Sequence, residues 1–411
     1  MREEVAKMID TGDTAFMIIC AALVCLMTPG LAFFYGGLVN SKNVLTIMMQ
    51  SFISMGIVTI IWFMIGFSLA FGPDINGLIG GFKYVFLNNV GMTPNPAYGK
   101  SIPFVTYFSY QEMFAIITPA LITGAFADRV NFKSYLVFLV FWSFLIYVPL
   151  AHWVWGGGFL QQLGVVDFAG GIVVHASAGM AALASVFFVG SRKTTNKIEL
   201  APHNITHVAL GTALLWFGWF GFNAGGALGA NGLAAIAFAN TDISASVAMV
   251  TWLVLDWIKN GKPSFVGALT GSVAGLATIT PAAGYVRPWA ALLIGLCAGI
   301  VCYSAIQLKA KLHWDDALDV WGCHGVGGML GTILLGVFAV SSVNGVSGLI
   351  EGNVHQFLLQ LGATVFAGAY SFGVTFLILK AVNHFLPVRV SEAEELSGLD
   401  EATYKEEAYR L

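Results

Sequence analysis

Residues 167–180 read DFAGGIVVHASAGM, which sets an aspartate and a histidine eight positions apart in a run that is otherwise apolar or small. Residues 316–329 read DALDVWGCHGVGGM, with Asp, His, Gly and Met at the same relative places. Of the eight histidines only His175 and His324 have an aspartate eight residues before them, Asp167 and Asp316. Both are followed by Gly at +4 (Gly179, Gly328) and Met at +5 (Met180, Met329). Two kinds of chemistry suit these residues. A carboxylate at a helix start accepts hydrogen bonds from the unpaired N–H groups of the first turn. An imidazole offers one ring nitrogen as donor and the other as acceptor, and so can pass a proton along. A single histidine in an apolar run most often binds a neighbouring helix, but a duplicated one in the same frame points to a pathway for a proton or a small polar molecule. If the two rings touch, they titrate as a coupled pair.

The elements that carry these residues must cross a bilayer. The chain has 411 residues, 57% hydrophobic and 10% charged, with a mean hydropathy of +0.78, where soluble domains carry about 25% charged residues. No basic face suggests nucleic acid. Apolar runs of about 20 residues, enough to span a membrane, centre near Cys25, Val58, Pro119, Val140, Ala178, Leu215, Met249, Ala274, Ile300, Ile333 and Phe372. The fold class expected is an all-α polytopic membrane protein with eleven transmembrane helices. An odd number of spans puts the termini on opposite faces. On that layout only Arg2, Lys7, Lys83, Lys100 and Arg287 of the 19 Lys and Arg share the N-terminal side, so the positive-inside rule places the N-terminus outside and the C-terminus in the cytoplasm.

That layout gives the repeat a geometry. The first Asp–His copy opens the fifth span at the outer face and the second opens the tenth at the inner face. Spans one to five and six to ten then form a five-plus-five inverted repeat, with the last helix outside it, as in many transporters. Along a regular α-helix His175 would sit roughly 12 Å deeper than Asp167, near mid-membrane. The N-terminus lacks a cleavable signal pattern. Cys20, Cys25, Cys297, Cys302 and Cys323 lie in apolar runs without C-x-x-C spacing, which supports neither a disulfide framework nor a zinc site.

The motifs TPGLAFFYGGLVNSKNVL, AHWVWGGG, DFAGGIVVH, GWFGFNAGG, GKPSFVGALTG, DDALDVWGCHGVGG and LSGLDEATYKEEAY, in that order over nearly the whole chain, resemble the Amt/Rh ammonium transporters, of prokaryotic Amt type. The resemblance implies a homotrimer of eleven-helix protomers in the cell's inner membrane, each with a narrow apolar pore, conducting ammonia or ammonium without a cofactor or bound metal. It implies that Trp155 receives the ammonium ion in an outer vestibule with Phe114 and Tyr110, and that Phe114 and Phe222 close the vestibule floor. It further implies that His175, His324 and Trp219 line the pore, and that Asp167 is needed at the outer end of its helix, with Asp316 its counterpart. Gly226 stands where many members have a serine that helps hold the ion. Recruitment is then expected to rest mainly on Trp155, and Gly226→Ser to strengthen it.

The domain reading follows. Residues 1–13 form an extracytoplasmic N-terminus, about 14–383 the transporter domain (halves about 14–195 and 204–345, last helix about 355–383), and 384–411 a cytoplasmic regulatory tail of the kind that contacts PII-type signal proteins. In that tail Tyr404 and Lys405 replace a frequent His-Gly. Glu112, beside the gate stretch, is expected to face a loop or a subunit contact. The alternatives from other classes are an ammonium sensor with little transport and a membrane metalloenzyme. The first is disfavoured because the sequence ends at Leu411 without a signalling domain, and the second because no H-E-x-x-H or similar cluster occurs.

Overall fold

The computed structural model describes residues 9–194 and 200–409. Arg2, Lys7, Lys197 and Arg410, which entered the charge comparison, lie outside the described residues, as do residues 1–8 of the expected N-terminal segment. Each expected span centre falls inside a helix. These helices are α1 (Thr11–Leu38), α2 (Ser41–Phe71), α3 (Phe104–Ile122), α4 (residues 132–155), α5 (Gly171–Val189), α6 (Ile205–Ala224), α7 (Gly232–Asn260), α8 (Phe265–Ile279), α9 (Pro288–Lys311), α10 (Trp321–Phe338) and α11 (Val354–Phe385). Nine of them, among the described residues, are long and apolar enough to cross a membrane; α3 and α8 fall outside that count. The first helix starts earlier than expected, at Thr11, because the Asp10 side chain accepts from the Asp13 N–H and caps it.

The 15-residue α8 is only ~22 Å long, short of the ~30 Å hydrocarbon thickness. The non-helical stretch 280–286, buried except for the half-buried Tyr285, continues it. Irregular backbone at such depth survives only where protein groups satisfy it, and here they do. Phe168 N–H donates to the Pro281 carbonyl (3.1 Å), Val340 N–H to Tyr285 (3.0 Å), and the Asn240 amide to both Ala283 and Val286 (2.8 Å each).

Glycines set the closest helix crossings. A Cβ on Gly30 would meet Leu214 at 2.9 Å, and on Gly211, Gly218 and Gly221 it would run into Phe34, Met27 and Leu23, so α1 and α6 pack backbone to backbone. The α5–α10 crossing is reciprocal. A Cβ on Gly179 would lie 2.0 Å from the Gly325 nitrogen, and one on Gly328 would lie 2.6 Å from the His175 Cβ. Each signature's +4 glycine thus seats the other signature's histidine segment. The two helices run in opposite directions: Arg129 donates both to the Gly190 carbonyl just after α5 (2.6 Å) and to the Asp315 carbonyl just before α10 (2.9 Å). Both helices open with a wide π-helical turn, Gly171–Ala176 and Trp321–Gly325, a distortion that recurs at functional sites.

The end of the bundle where α5 finishes is tied by charge. Asp315 bridges Arg129 (3.2 Å) and Arg192 (2.7 Å), Arg192 also reaches Asp128 (3.3 Å), and Arg389 pairs with Glu395 (2.7 Å). Two short helices of the tail dock here, α12 (Glu392–Ser397) and α13 (Leu399–Tyr404). The buried Asp400 carboxylate accepts from the Leu45 and Thr46 N–H groups (2.9 and 2.8 Å) and the Thr46 hydroxyl (2.8 Å) at the start of α2. Tyr404 packs edge-on against Phe132, with ring centroids 5.6 Å apart. Glu112 is buried against Thr59, from α2, rather than turned to a loop.

Candidate functional site: an aromatic vestibule over a histidine pair

The signature segments do not form straight α-helices from their aspartates. Residues 167–170 are irregular, Gly170 takes φ +117°, a left-handed conformation that favours glycine, and α5 begins only at Gly171. His175 therefore stands in the opening π turn rather than in the third turn of an α-helix begun at Asp167. The Asp167 carboxylate makes this possible. One oxygen accepts from the N–H groups of Gly170 and Gly171 (2.8 and 2.7 Å), the other from Ile172 and Val173 (2.7 and 3.3 Å). The buried Asp316 holds the N–H groups of Val320 (3.1 Å) and Trp321 (2.8 Å) in the same manner, while the Lys309 ammonium donates to its backbone carbonyl (2.6 Å).

Above α5 opens a cavity of about 330 Å³ whose lining includes Trp155, Tyr110, Phe114, Asp167, Phe168, Gly226 and Tyr285. The Trp155 indole N–H donates to the Asp167 carbonyl (2.8 Å), which fixes the ring's orientation. Phe114 stands perpendicular to that ring (87°, centroids 6.1 Å apart) and against Phe222 (4.2 Å, 32°). The Tyr110 hydroxyl donates to the Phe222 carbonyl (2.6 Å), which pins the second ring's backbone. Both phenyl rings are almost fully buried.

Beneath Phe222 a constriction of about 10 Å³, room for about one water-sized centre, is lined by His175, His324, Trp219, Phe222 and aliphatic or aromatic side chains only. The two histidines face each other Nδ1 to Nδ1 at 3.2 Å, with their rings tilted by 19°. Trp219 stacks on His175 (5.2 Å, 21°) and donates its indole N–H to Thr280 (2.9 Å), from the irregular stretch after α8. Since one Nδ1 must donate and the other accept, the ring that donates there keeps a lone pair on Nε2 and its partner keeps an Nε2–H. The pair therefore offers one acceptor and one donor. The His175 Nε2 is buried and has no hydrogen-bond partner among the described residues.

Every residue singled out in the sequence for vestibule, gate or pore stands around these two cavities, except Asp316, which lies at the far end under the start of α10. Gly226 has a different surrounding from the one expected. A Cβ there would sit 2.8 Å from the Phe168 carbonyl and 3.0 Å from its ring, so Phe168 occupies the space a serine side chain would need. Phe168 and Tyr285 are functional-site residues that sequence reasoning missed. Phe168 is adjacent to Asp167 in the signature, but the glycines that accommodate its ring, Gly226 and Gly284, are too far away in sequence to have signalled it.

A family model described as Ammonium Transporter Family matches residues 15–409. The chain is 48% identical over 402 residues to an ammonium transporter of Bacillus subtilis (strain 168), covering 97% of this chain and 98% of that protein. Among solved structures it is similar to Candida albicans Mep2 (35% identity, TM-score 0.89, 95% and 88% of the two chains) and to one titled Sensor Amt Protein (30% identity, TM-score 0.88, 98% and 100%). The sequence match over almost the full length agrees with the paired signatures and the buried histidines, and the chain belongs to the Ammonium Transporter Family.

Proposed function

We propose that this protein takes up ammonium ion over the Trp155 face, strips its proton at or below the Phe114–Phe222 gate, and conducts ammonia past His175 and His324. The observation that carries this reading is the lumen lining: among the described residues around the constriction beneath the gate, the only ionisable groups are the two imidazoles. An unpaired cation is costly to place against such walls, whereas neutral ammonia, which both donates and accepts hydrogen bonds, matches the donor and acceptor that the pair presents. The indole face favours a cation by ~0.5–2 kcal/mol, enough to gather ions without trapping them. Asp167, through four backbone N–H bonds, positions the His175 turn, and its charge lowers the cost of a cation in the vestibule above. Asp316 positions the His324 turn. The chemistry is translocation and not catalysis, and it requires no cofactor or metal.

The wider assembly belongs to the same proposal: a homotrimer in the inner membrane, one pore per protomer through eleven spans arranged as an inverted repeat, N-terminus outside. The domain limits are those drawn from the sequence, save that the first helix starts at Thr11, and the docked tail at the cytoplasmic end is the surface for a PII-type nitrogen-regulatory protein. The likeness to a structure titled Sensor Amt Protein supports a second reading, an ammonium-sensing module with little flux. One measurement separates the two. Proteoliposomes holding purified protein, given an inward ammonium pulse on a solid-supported membrane, are expected to show a saturable current or internal alkalinisation. Binding without either response would leave the sensor.

A further inference from the structure

Outside the pore a third histidine contacts two oxygens, one on each ring nitrogen. His152 lies fully buried in α4, three residues before Trp155. Its Nδ1 faces the Ala70 carbonyl at 2.8 Å and its Nε2 faces the Asp74 carboxylate at 2.8 Å. A carbonyl carries no proton, so the proton of the first bond is on Nδ1. The second bond also needs a proton, since two lone pairs would otherwise face each other. The hydrogen bond from His152 holds the Asp74 carboxyl below its ordinary range. The other partners of Asp74 are neutral, the Gly77 N–H (2.9 Å) and the Gln162 amide (3.4 Å).

The pair sits at the root of the vestibule wall. Asp74 belongs to a small hairpin, β1 (Asp74–Ile75) and β2 (Ile79–Gly80). The loop between its strands also accepts from the Trp153 indole at Leu78 (2.8 Å) and from the Phe159 N–H at Gly77 (2.9 Å). The His152 carbonyl in turn accepts from the N–H groups of Gly156 and Gly158 (2.9 Å each), which close the turn directly after Trp155. A Cβ on Gly156 would lie 1.9 Å from the Ala70 oxygen and 2.9 Å from the His152 Nδ1, so the turn is seated on the clamp itself.

We infer that the Ala70–His152–Asp74 clamp is a positioning device for Trp155, holding the indole that receives the cation at the height set by its bond to the Asp167 carbonyl. This rests on the reading of Trp155 as the recruitment surface. His152 and Asp74 touch neither the proposed ion nor the pore, so they act on affinity and not on conduction.

The test compares ammonium-evoked currents of wild type, Asp74→Asn, His152→Gln and Trp155→Leu in proteoliposomes, together with ¹⁵N–¹H spectra of histidine-labelled wild type in lipid. Asp74→Asn and His152→Gln are expected to raise the half-saturation concentration roughly three- to tenfold, within what a cation over an indole is worth, with the maximal response retained. Neither is expected to add to the effect of Trp155→Leu when combined with it. The wild-type spectrum is expected to show the Nδ1 of His152 protonated and held in a hydrogen bond, a measurement that does not depend on any variant folding. An Nδ1 of His152 without a proton, or a lowered maximum at unchanged half-saturation, overturns the inference. If Trp155→Leu itself leaves half-saturation unchanged, it is the recruitment reading that fails. If Trp155→Leu shifts it and the clamp variants do not, only the clamp fails.

Discussion

Replacing Asp167 by Asn is the most informative single change, because the geometry reverses what helix capping alone suggests. As a plain cap, Asn serves about as well as Asp, and the substitution would be nearly silent for stability. Yet both carboxylate oxygens are used, two N–H groups on each. Asn keeps one oxygen and turns an NH₂ donor toward the other two donors. Hydrogen bonds to a charged acceptor contribute about 1.5–3 kcal/mol each, and of the pair best sacrificed one is good (Ile172, 2.7 Å) and one long (Val173, 3.3 Å). Part of that loss is offset by no longer burying a charge. The expected cost is roughly 3 kcal/mol for Asn and ~5 kcal/mol for Ala, which forfeits all four bonds. In a protein this large that lowers the melting temperature by roughly 3–6 °C for Asn and more for Ala. The assay is thermal unfolding of the purified protein followed by tryptophan fluorescence, alongside ammonium flux in liposomes. Transport should rank wild type, Asn, Ala. An Asn variant melting with the wild type would refute the four-bond account and return Asp167 to a simple cap.

Three further outcomes are expected. His175→Ala and His324→Ala should each leave the fold intact but change the selectivity and pH dependence of the ammonium response, since either loss removes the donor–acceptor pair; unchanged currents across pH in both would exclude the pair from conduction. Gly226→Ser should weaken apparent ammonium affinity, the opposite of the expectation from its hydroxyl alone, because its Cβ enters the space of Phe168; a lowered half-saturation concentration would show that Phe168 yields readily. Asp315 resists burial's upward pull and is held at about 2 by hydrogen bonds and charge from Arg192 and by the charge of Arg129. A depressed carboxylate stabilises above its unfolded pKa and loses that contribution as the pH falls through its folded one, here from about 4 to about 2. The contribution is roughly 2 kcal/mol, so the melting temperatures of wild type and Asp315→Asn should differ at neutral pH and converge toward the bottom of that window.

What the sequence made legible was whatever repeats or reads out along one helix. The matching Asp, His, Gly and Met of the two signatures pointed to the candidate site, and each expected span centre falls inside one of α1–α11, nine of which, among the described residues, are long and apolar enough to cross a membrane. The irregular entry to α5 and its π turn were not legible, since they depend on how Asp167 distributes its hydrogen bonds. The surroundings of Gly226 and the buried bend after α8 were illegible for a different reason. They are set by Phe168, Asn240 and Val340, which no local pattern connects to them. Glu112, expected at a loop or a subunit contact, is buried in α3 and does not turn to a loop.

The glycine seam between α1 and α6 bears on how the chain is made. Gly30 lies against Leu214, and Gly211 lies 181 residues after Gly30. At about 5–20 residues per second, synthesis leaves α1 waiting roughly 9–36 s in the bilayer before its partner emerges. During that time a groove shaped for a helix backbone is open to lipid tails or to the wrong helix. The insertion machinery must therefore hold the first half of the nascent protein loosely until the sixth helix arrives. Ribosome pausing between α5 and α6 would lengthen the wait and lower the yield of correctly assembled protein without altering one contact in the finished molecule.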